Sequence, residues 1–130
     1  MPAQTAITVK KADGTTDIIY AAVQPSSGVN PAIWRSPVGA APAHKAELRV
    51  KATPNKANTV RRLEGVFSYP QTATAADGSI TVVNRGSISF TATVPQSMPQ
   101  TEINEMIHQG FNLVASSLNK SQGTEGFAAT

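Results

Sequence analysis

Lys45-Ala46-Glu47-Leu48-Arg49-Val50-Lys51-Ala52-Thr53 alternates apolar and polar residues without a break. Successive side chains of a β-strand point to opposite faces, so Ala46, Leu48, Val50 and Ala52 share one face and Lys45, Glu47, Arg49, Lys51 and Thr53 the other. One face belongs to a core and the other is a charged platform. The window 45–62 holds six of the eleven basic residues, Lys45, Arg49, Lys51, Lys56, Arg61 and Arg62, against one acid, Glu47. An ordinary solvated sheet face looks like this, and so does a surface for phosphates.

Downstream, Pro54-Asn55-Lys56 turns this strand into a second run, Asn58 to Tyr69. Its alternation is irregular around Arg61-Arg62 and Gly65, which predicts a bulge near Gly65 and leaves open which arginine shares the face of Arg49. Pro70 to Gly78 reads as a small polar loop ending in Asp77-Gly78. Ser79 to Val94 follows as the longest strand, with Ile88, Phe90, Ala92 and Val94 on one face and Ser87, Ser89, Thr91 and Thr93 on the other.

Upstream, Gln24 to Ala43 is broken by four prolines, so only Ala32 to Val38 is expected to be extended, as a short or edge strand. Before it, Thr5 to Lys10 and Thr15 to Val23 flank Lys11-Ala12-Asp13-Gly14, and Asp-Gly between two strand-like runs predicts a β-hairpin. After Pro95 the pattern changes. Ser97-Met98-Pro99-Gln100 offers a hydroxyl N-cap, an early proline and a glutamine three residues on, with Glu102 and Glu105 near the positive end of the dipole. Ile103, Met106, Ile107, Gly110, Phe111, Val114 and Leu118 then recur at helical spacing as one apolar stripe, and Ser121-Gln122-Gly123 breaks the pattern. The expected organisation is one α+β domain over 1–130: a hairpin in 1–23, a five-stranded antiparallel sheet in 32–94, helices in 97–120 and a tail in 121–130.

Net charge is +3 over 130 residues, mildly basic, which suits contact with nucleic acid without demanding it. With no cysteine, disulfides and thiolate metal sites are excluded. No basic n-region precedes an apolar run at the start, and nowhere do about 18 apolar residues occur together, so the chain is expected to be soluble, with no membrane contact. His44 and His108 are the only histidines, and neither has a partner at metal-ligand spacing; Glu105 and His108 form an ordinary i, i+3 pair. Phosphate-binding glycine loops, a nucleophile elbow and a paired acid and base are all missing, so neither an enzyme nor a cofactor is expected. Phe90 and Phe111 fall on core faces and Trp34 reads as a packing anchor, so any nucleic acid contact rests on Arg and Lys with hydroxyl and amide support.

A hairpin, about five antiparallel strands, a polar loop before the longest strand and terminal helices resemble the coat proteins of the levivirus type, small single-stranded RNA bacteriophages. The local matches are Lys45 to Lys51 followed by Asn55 and Thr59-Val60-Arg61, and Arg85-Gly86-Ser87 through Thr91-Ala92-Thr93-Val94-Pro95. The resemblance implies an interlocked two-fold dimer, with sheets joined edge to edge and each subunit's helices over the other's sheet through Ile103, Met106, Ile107, Phe111 and Val114. It implies assembly of those homodimers into an icosahedral shell around the viral genome, with the loop carrying Pro70, Gln71, Thr72, Asp77 and Gly78 meeting its copies around the axes. It also implies an RNA-binding inner face made of Lys45, Glu47, Arg49, Lys51, Asn55, Thr59, Arg61, Ser87, Ser89 and Thr91. The protein would then reside in the virion capsid after synthesis in the bacterial host cytoplasm.

In well-known members the inner face also binds a hairpin that represses replicase translation. Here Ser87 stands where an aromatic residue is expected to stack a base, so hairpin recognition is in question while packaging by charge is not. The absence of cysteine rules out the inter-loop disulfides of some relatives. Two other classes compete. A small dimeric RNA- or single-strand-binding protein that forms no shell predicts the same basic face, but the thin charge and the proline-rich segment favour subunit contacts. A fibre or adhesin subunit needs no basic face and would carry an export signal.

Overall fold

Two Asp-Gly turns set the frame of the chain. In the first, the Asp13 carboxylate accepts from the Thr15 and Thr16 amides and from the Thr16 hydroxyl. The hydroxyl first, and then the amides, hold this carboxyl down at about 2. Gly14 takes φ 75°, a conformation that favours glycine. The second turn repeats the device: Asp77 accepts from the amide and hydroxyl of Ser79, and Gly78 takes φ 87°.

The computed structural model describes residues 2–130. The described residues form strands β1 (Ile7–Lys10), β2 (Asp17–Gln24), β3 (Ala32–Arg35), β4 (Glu47–Pro54), β5 (Val60–Thr74) and β6 (Ile80–Pro95), then helices α1 (Gln100–Val114) and α2 (Ser117–Glu125). A short 3-10 turn, Pro42–His44, lies between β3 and β4. Each strand pairs antiparallel with the next in a single meander, β1-β2-β3-β4-β5-β6.

The sheet therefore has six strands, not five. The hairpin is not a separate unit, because β2 runs on past its pairing with β1 and continues against β3 through Ala21–Arg35 and Ala22–Trp34. The expected polar loop at Pro70 to Gly78 is also mostly strand: β5 runs to Thr74, and only the turn closed by the Ala75 amide on the Ser79 carbonyl is left. No bulge falls at Gly65, which pairs regularly with Phe90; the register shift lies further out, between Gln71 and Thr72.

The helical region differs in detail. Pro99, not Ser97, occupies the N-cap of α1. The break comes early, at Ala115, where Ser116 caps α2 by accepting from the Asn119 amide. Helix α2 then runs through Gly123 to Glu125 and stops at Gly126, φ 78°, so most of the expected break and part of the tail are helical.

The faces follow from the registers. One face carries Trp34, Leu48, Val50, Ala52, Leu63, Phe67, Ile88, Phe90, Ala92 and Val94, with Tyr20 edge-on to Phe67. Helix α1 meets this face at one place: Phe111 lies edge-to-face on Phe90, with ring centroids 5.4 Å apart. Otherwise the apolar surfaces stay open. Ile88 on the sheet is 64% exposed and Val114 on the helix 66%. Among the described residues only Ala32, Ile33 and Ala46 are buried hydrophobics, and no side chain is fully buried. Among the same residues, no helix is long and apolar enough to cross a membrane.

Candidate nucleic-acid interface

The opposite face of the sheet has a different composition, built in rows by the ladder. Arg35 stands beside Glu47, and Glu47 is followed across the sheet by Ser68 and Ser87. The next row is Arg49, Val66 and Ser89; then come Lys51, Glu64 and Thr91, and finally Thr53, Arg62 and Thr93. Arg85 extends the face along β6, opposite Pro70. Helix α1 meets the sheet from the other face, through Phe111 on Phe90.

Glu47 organises its end of the platform. One carboxylate oxygen accepts from Arg35 Nε and Nη2 at 3.0 and 2.9 Å, and the other accepts from Arg49 Nε. Burial works against the carboxylate, but the Arg49 and Arg35 hydrogen bonds and charges outweigh it and hold the pKa below its ordinary value. The carboxylate thus fixes two guanidinium groups while cancelling one of their charges. Arg62 makes a long, exposed contact of 3.8 Å with Glu64. Six cations, Arg35, Lys45, Arg49, Lys51, Arg62 and Arg85, face two carboxylates, Glu47 and Glu64, so the platform is net positive. Ser87, Ser89 and Thr91 add exposed hydroxyls to the same face along β6.

Of the residues expected on this face, Glu47, Arg49, Lys51, Ser87, Ser89 and Thr91 lie there together, with Lys45 at the margin beside the 3-10 turn. Arg61 does not. It pairs with Pro54 and Val94 and shares the apolar face with Leu63, whereas Arg62 stands between Thr53 and Thr93. The reason is that β5 keeps strict alternation through Gly65, so Leu63, Gly65 and Phe67 carry Arg61 with them. Asn55 and Thr59 sit in the β4–β5 turn and are largely committed to each other. Asn55 Oδ1 accepts from the Thr59 and Val60 amides at 2.8 and 3.2 Å, and its Nδ2 donates to the Thr59 hydroxyl at 3.0 Å. Their bonds close the turn in which Asn58 takes φ 54°.

Arg35 and Arg85 lie on the face but were not among the residues expected there. Arg35 lies in a four-residue strand inside the proline-rich segment, and only its pairing with Glu47 brings it across. Counting back by twos from Ser87 would have found Arg85.

The other expected groups are placed as follows. Ile103, Met106, Ile107, Phe111 and Val114 form the α1 stripe, and all but Ile103 border, with Gly110, Phe90 and Ala92, an apolar cleft of about 300 Å³. Pro70 is buried, Gln71 accepts from Asn84 at 2.9 Å, Thr72 ends the regular register, and Asp77 and Gly78 make the turn. His108 bonds the Asn104 carbonyl on its own helix, and among the described residues no group of His, Asp and Glu is placed to hold a metal ion.

The fold is shared with solved virus-like particles of a levi-like virus and of bacteriophages. A virus-like particle of Beihai levi-like virus 21 superposes with a TM-score of 0.84 at 18% identity, over 99% of both chains. The bacteriophage GA protein capsid matches with a TM-score of 0.74 at 11% identity, over 96% of this chain and 95% of the other. The bacteriophage EMS014 coat protein matches at 0.65 and 19% identity, over 90% of this chain and 74% of that one. No protein-family model and no curated sequence matches the chain.

Proposed function

We propose that the protein is the capsid protein of a levi-like single-stranded RNA bacteriophage, that it forms two-fold dimers, and that these assemble into an icosahedral shell. The observation that carries this reading is the end-to-end correspondence with virus-like-particle and capsid structures, 99% of both chains in one case. The openness of the chain's own apolar surfaces supports the dimer. A sheet face with Ile88 at 64% exposure and a helix with Val114 at 66% need a partner that supplies the complementary surface. Strand β6 also has one edge with no neighbour among the described residues, sixteen residues long, and such an edge invites pairing with a second copy.

The basic face, turned away from the helices, would then line the interior and contact genome RNA through phosphates. Ser87 supplies no aromatic plane, so the face holds RNA by charge, and discrimination between hairpins is modest. Electron microscopy of the protein expressed alone, with sizing of the disassembled material, tests the reading. Closed shells that release dimers are expected. A folded, stable monomer that never assembles would overturn it.

A further inference from the structure

On the apolar side, the β1–β2 hairpin leaves an open cleft against the sheet. Ile7 and Val9 of β1, Tyr20 of β2, Leu48 of β4 and Phe67 of β5 line about 260 Å³. A register shift between Ala22 and Gln24 bends β2, which brings β1 round to face Leu48 and Phe67. The segment before β1 is tied across β3, since Trp34 Nε1 donates to the Thr5 carbonyl at 2.7 Å and Gln4 Nε2 to the Ile33 carbonyl at 2.9 Å. Ile7 and Val9 are nevertheless exposed, because no described residue of the same chain fills the cleft.

The other end of the chain presents a group of matching character. Helix α1 meets the sheet at Phe90 on β6, and beyond this contact Leu118 is 60% and Phe127 78% exposed. Phe127 sits on a closed turn. Gly126 ends α2 in the left-handed conformation, and the Ala129 amide donates to the Gln122 side chain at 2.8 Å, which holds the aromatic ring out from the helix end.

We infer that Phe127 of one copy fills the hairpin cleft of a second copy. The inference rests on the proposed dimer and adds to it a contact outside the α1 stripe. Joining two sheets along their β6 edges about a two-fold keeps both apolar faces on one side, and the second copy's β5 and β4 then lie two and three strand spacings from the first copy's β6, up to about 14 Å. The nine residues of α2 span about 13 Å, so the reach matches. An aromatic side chain suits a cleft with no charged group in its lining. Charge agrees at the rim: Lys10 and Lys11 border the adjoining hollow, while Glu125 precedes the Gly126 turn.

The chain has no cysteine, so single cysteines report cleanly. Ile7→Cys and Phe127→Cys proteins are made separately, dissociated, mixed, reassembled and treated with a short bismaleimide, with each protein alone as control. A 7–127 link between two chains is expected, mapped by mass spectrometry. In concentration-dependent urea unfolding, Phe127→Ala is expected to weaken the dimer about 20-fold, the loss of one buried aromatic side chain, and Phe127→Leu to recover most of that. A link formed only within one chain, in the Ile7→Cys/Phe127→Cys double variant, would mean that the tail folds back on its own hairpin and would overturn the inference. So would the absence of any 7–127 link in protein that sizing shows to be dimeric, or a Phe127→Ala dimer of wild-type stability; the dimer would then stand without this contact. Wild-type monomers would overturn both.

Discussion

Gly65 lies directly beneath the ring of Phe90. A Cβ at position 65 would stand 2.1 Å from Phe90 Cζ and 2.2 Å from Cε1, closer than any real contact. The same ring meets Phe111 edge-on, so the glycine in the middle of β5 sets where α1 touches the sheet.

Gly65→Ala must therefore push Phe90 away from Phe111. The expected cost is about 2 kcal/mol, in the range for overpacking a close contact. Phe90→Leu should recover part of that loss in the double variant, because the two changes share one space. Chemical denaturation of the four proteins in the cycle measures the coupling; additive losses would show that the ring has another way out.

The α1 stripe makes the second prediction. Burying a large apolar side chain is worth about 2 kcal/mol, and Ile107 and Phe111 remain partly open in the single chain. Replacing both with Asp puts two charges into the proposed dimer interface. Insoluble or unfolded protein is expected on expression. A soluble, folded monomer, seen by sizing and circular dichroism, would contradict the interlocked arrangement.

The outer end of the β5–β6 ribbon makes the third. Its residues from Gln71 to Thr81 are exposed, so they contribute little to the fold of one chain. Replacing residues 74–80 with Asn-Gly keeps Ala73 opposite Thr81 and closes the shortened ribbon with a two-residue hairpin turn. Dimers should persist on sizing while micrographs show absent or altered shells. Loss of the dimer would place the ribbon in folding instead of assembly.

The fourth concerns acid. The folded pKa of Glu47 is depressed by Arg49 and Arg35 despite burial, so its stabilising contribution is complete above the ordinary value of 4.5 and is lost as pH falls below it. Asp13 and Asp77, also depressed, act in the same direction from exposed turns. The melting temperature should fall between neutral pH and about pH 3, and less steeply in Glu47→Gln, whose baseline is lower because two guanidinium groups lose their anchor. Parallel melting curves for the two proteins would remove Glu47 from the acid response.

The sequence carried the strand at Lys45 to Thr53, the two Asp-Gly turns and the α1 stripe because each is a local pattern with one physical meaning. It did not carry the sixth strand of the sheet, since nothing in Ala21-Ala22 announces that the hairpin continues against β3. Ser121-Gln122-Gly123 looked like a stop, yet the Ser116 cap starts a new helix that carries Gly123 in its last turn. At the basic face, the rows running out from β4 were legible by alternation. Arg35 was not, because its membership depends on a long-range pairing, and alternation left Arg61 and Arg62 undecided because Gly65 looked like a bulge when it is a packing requirement of Phe90, so that Arg61 stood on the family resemblance alone.

That last point separates two adjacent arginines. Arg62 lies between Thr53 and Thr93 on the basic face, while Arg61 lies between Pro54 and Val94 on the face that carries Leu63. Both are exposed and both carry one charge, so net charge cannot distinguish them. If RNA is held on the face of Arg49, Arg62→Ala should weaken binding of unassembled protein to single-stranded RNA and flatten the salt slope by about 0.7, as should Arg49→Ala. Arg61→Ala should change neither by more than a small long-range term, which salt screens within about 10 Å. Equal losses in the two variants would mean that binding follows overall charge and not the sheet face, and a loss confined to Arg61→Ala would place RNA on the side of the helices.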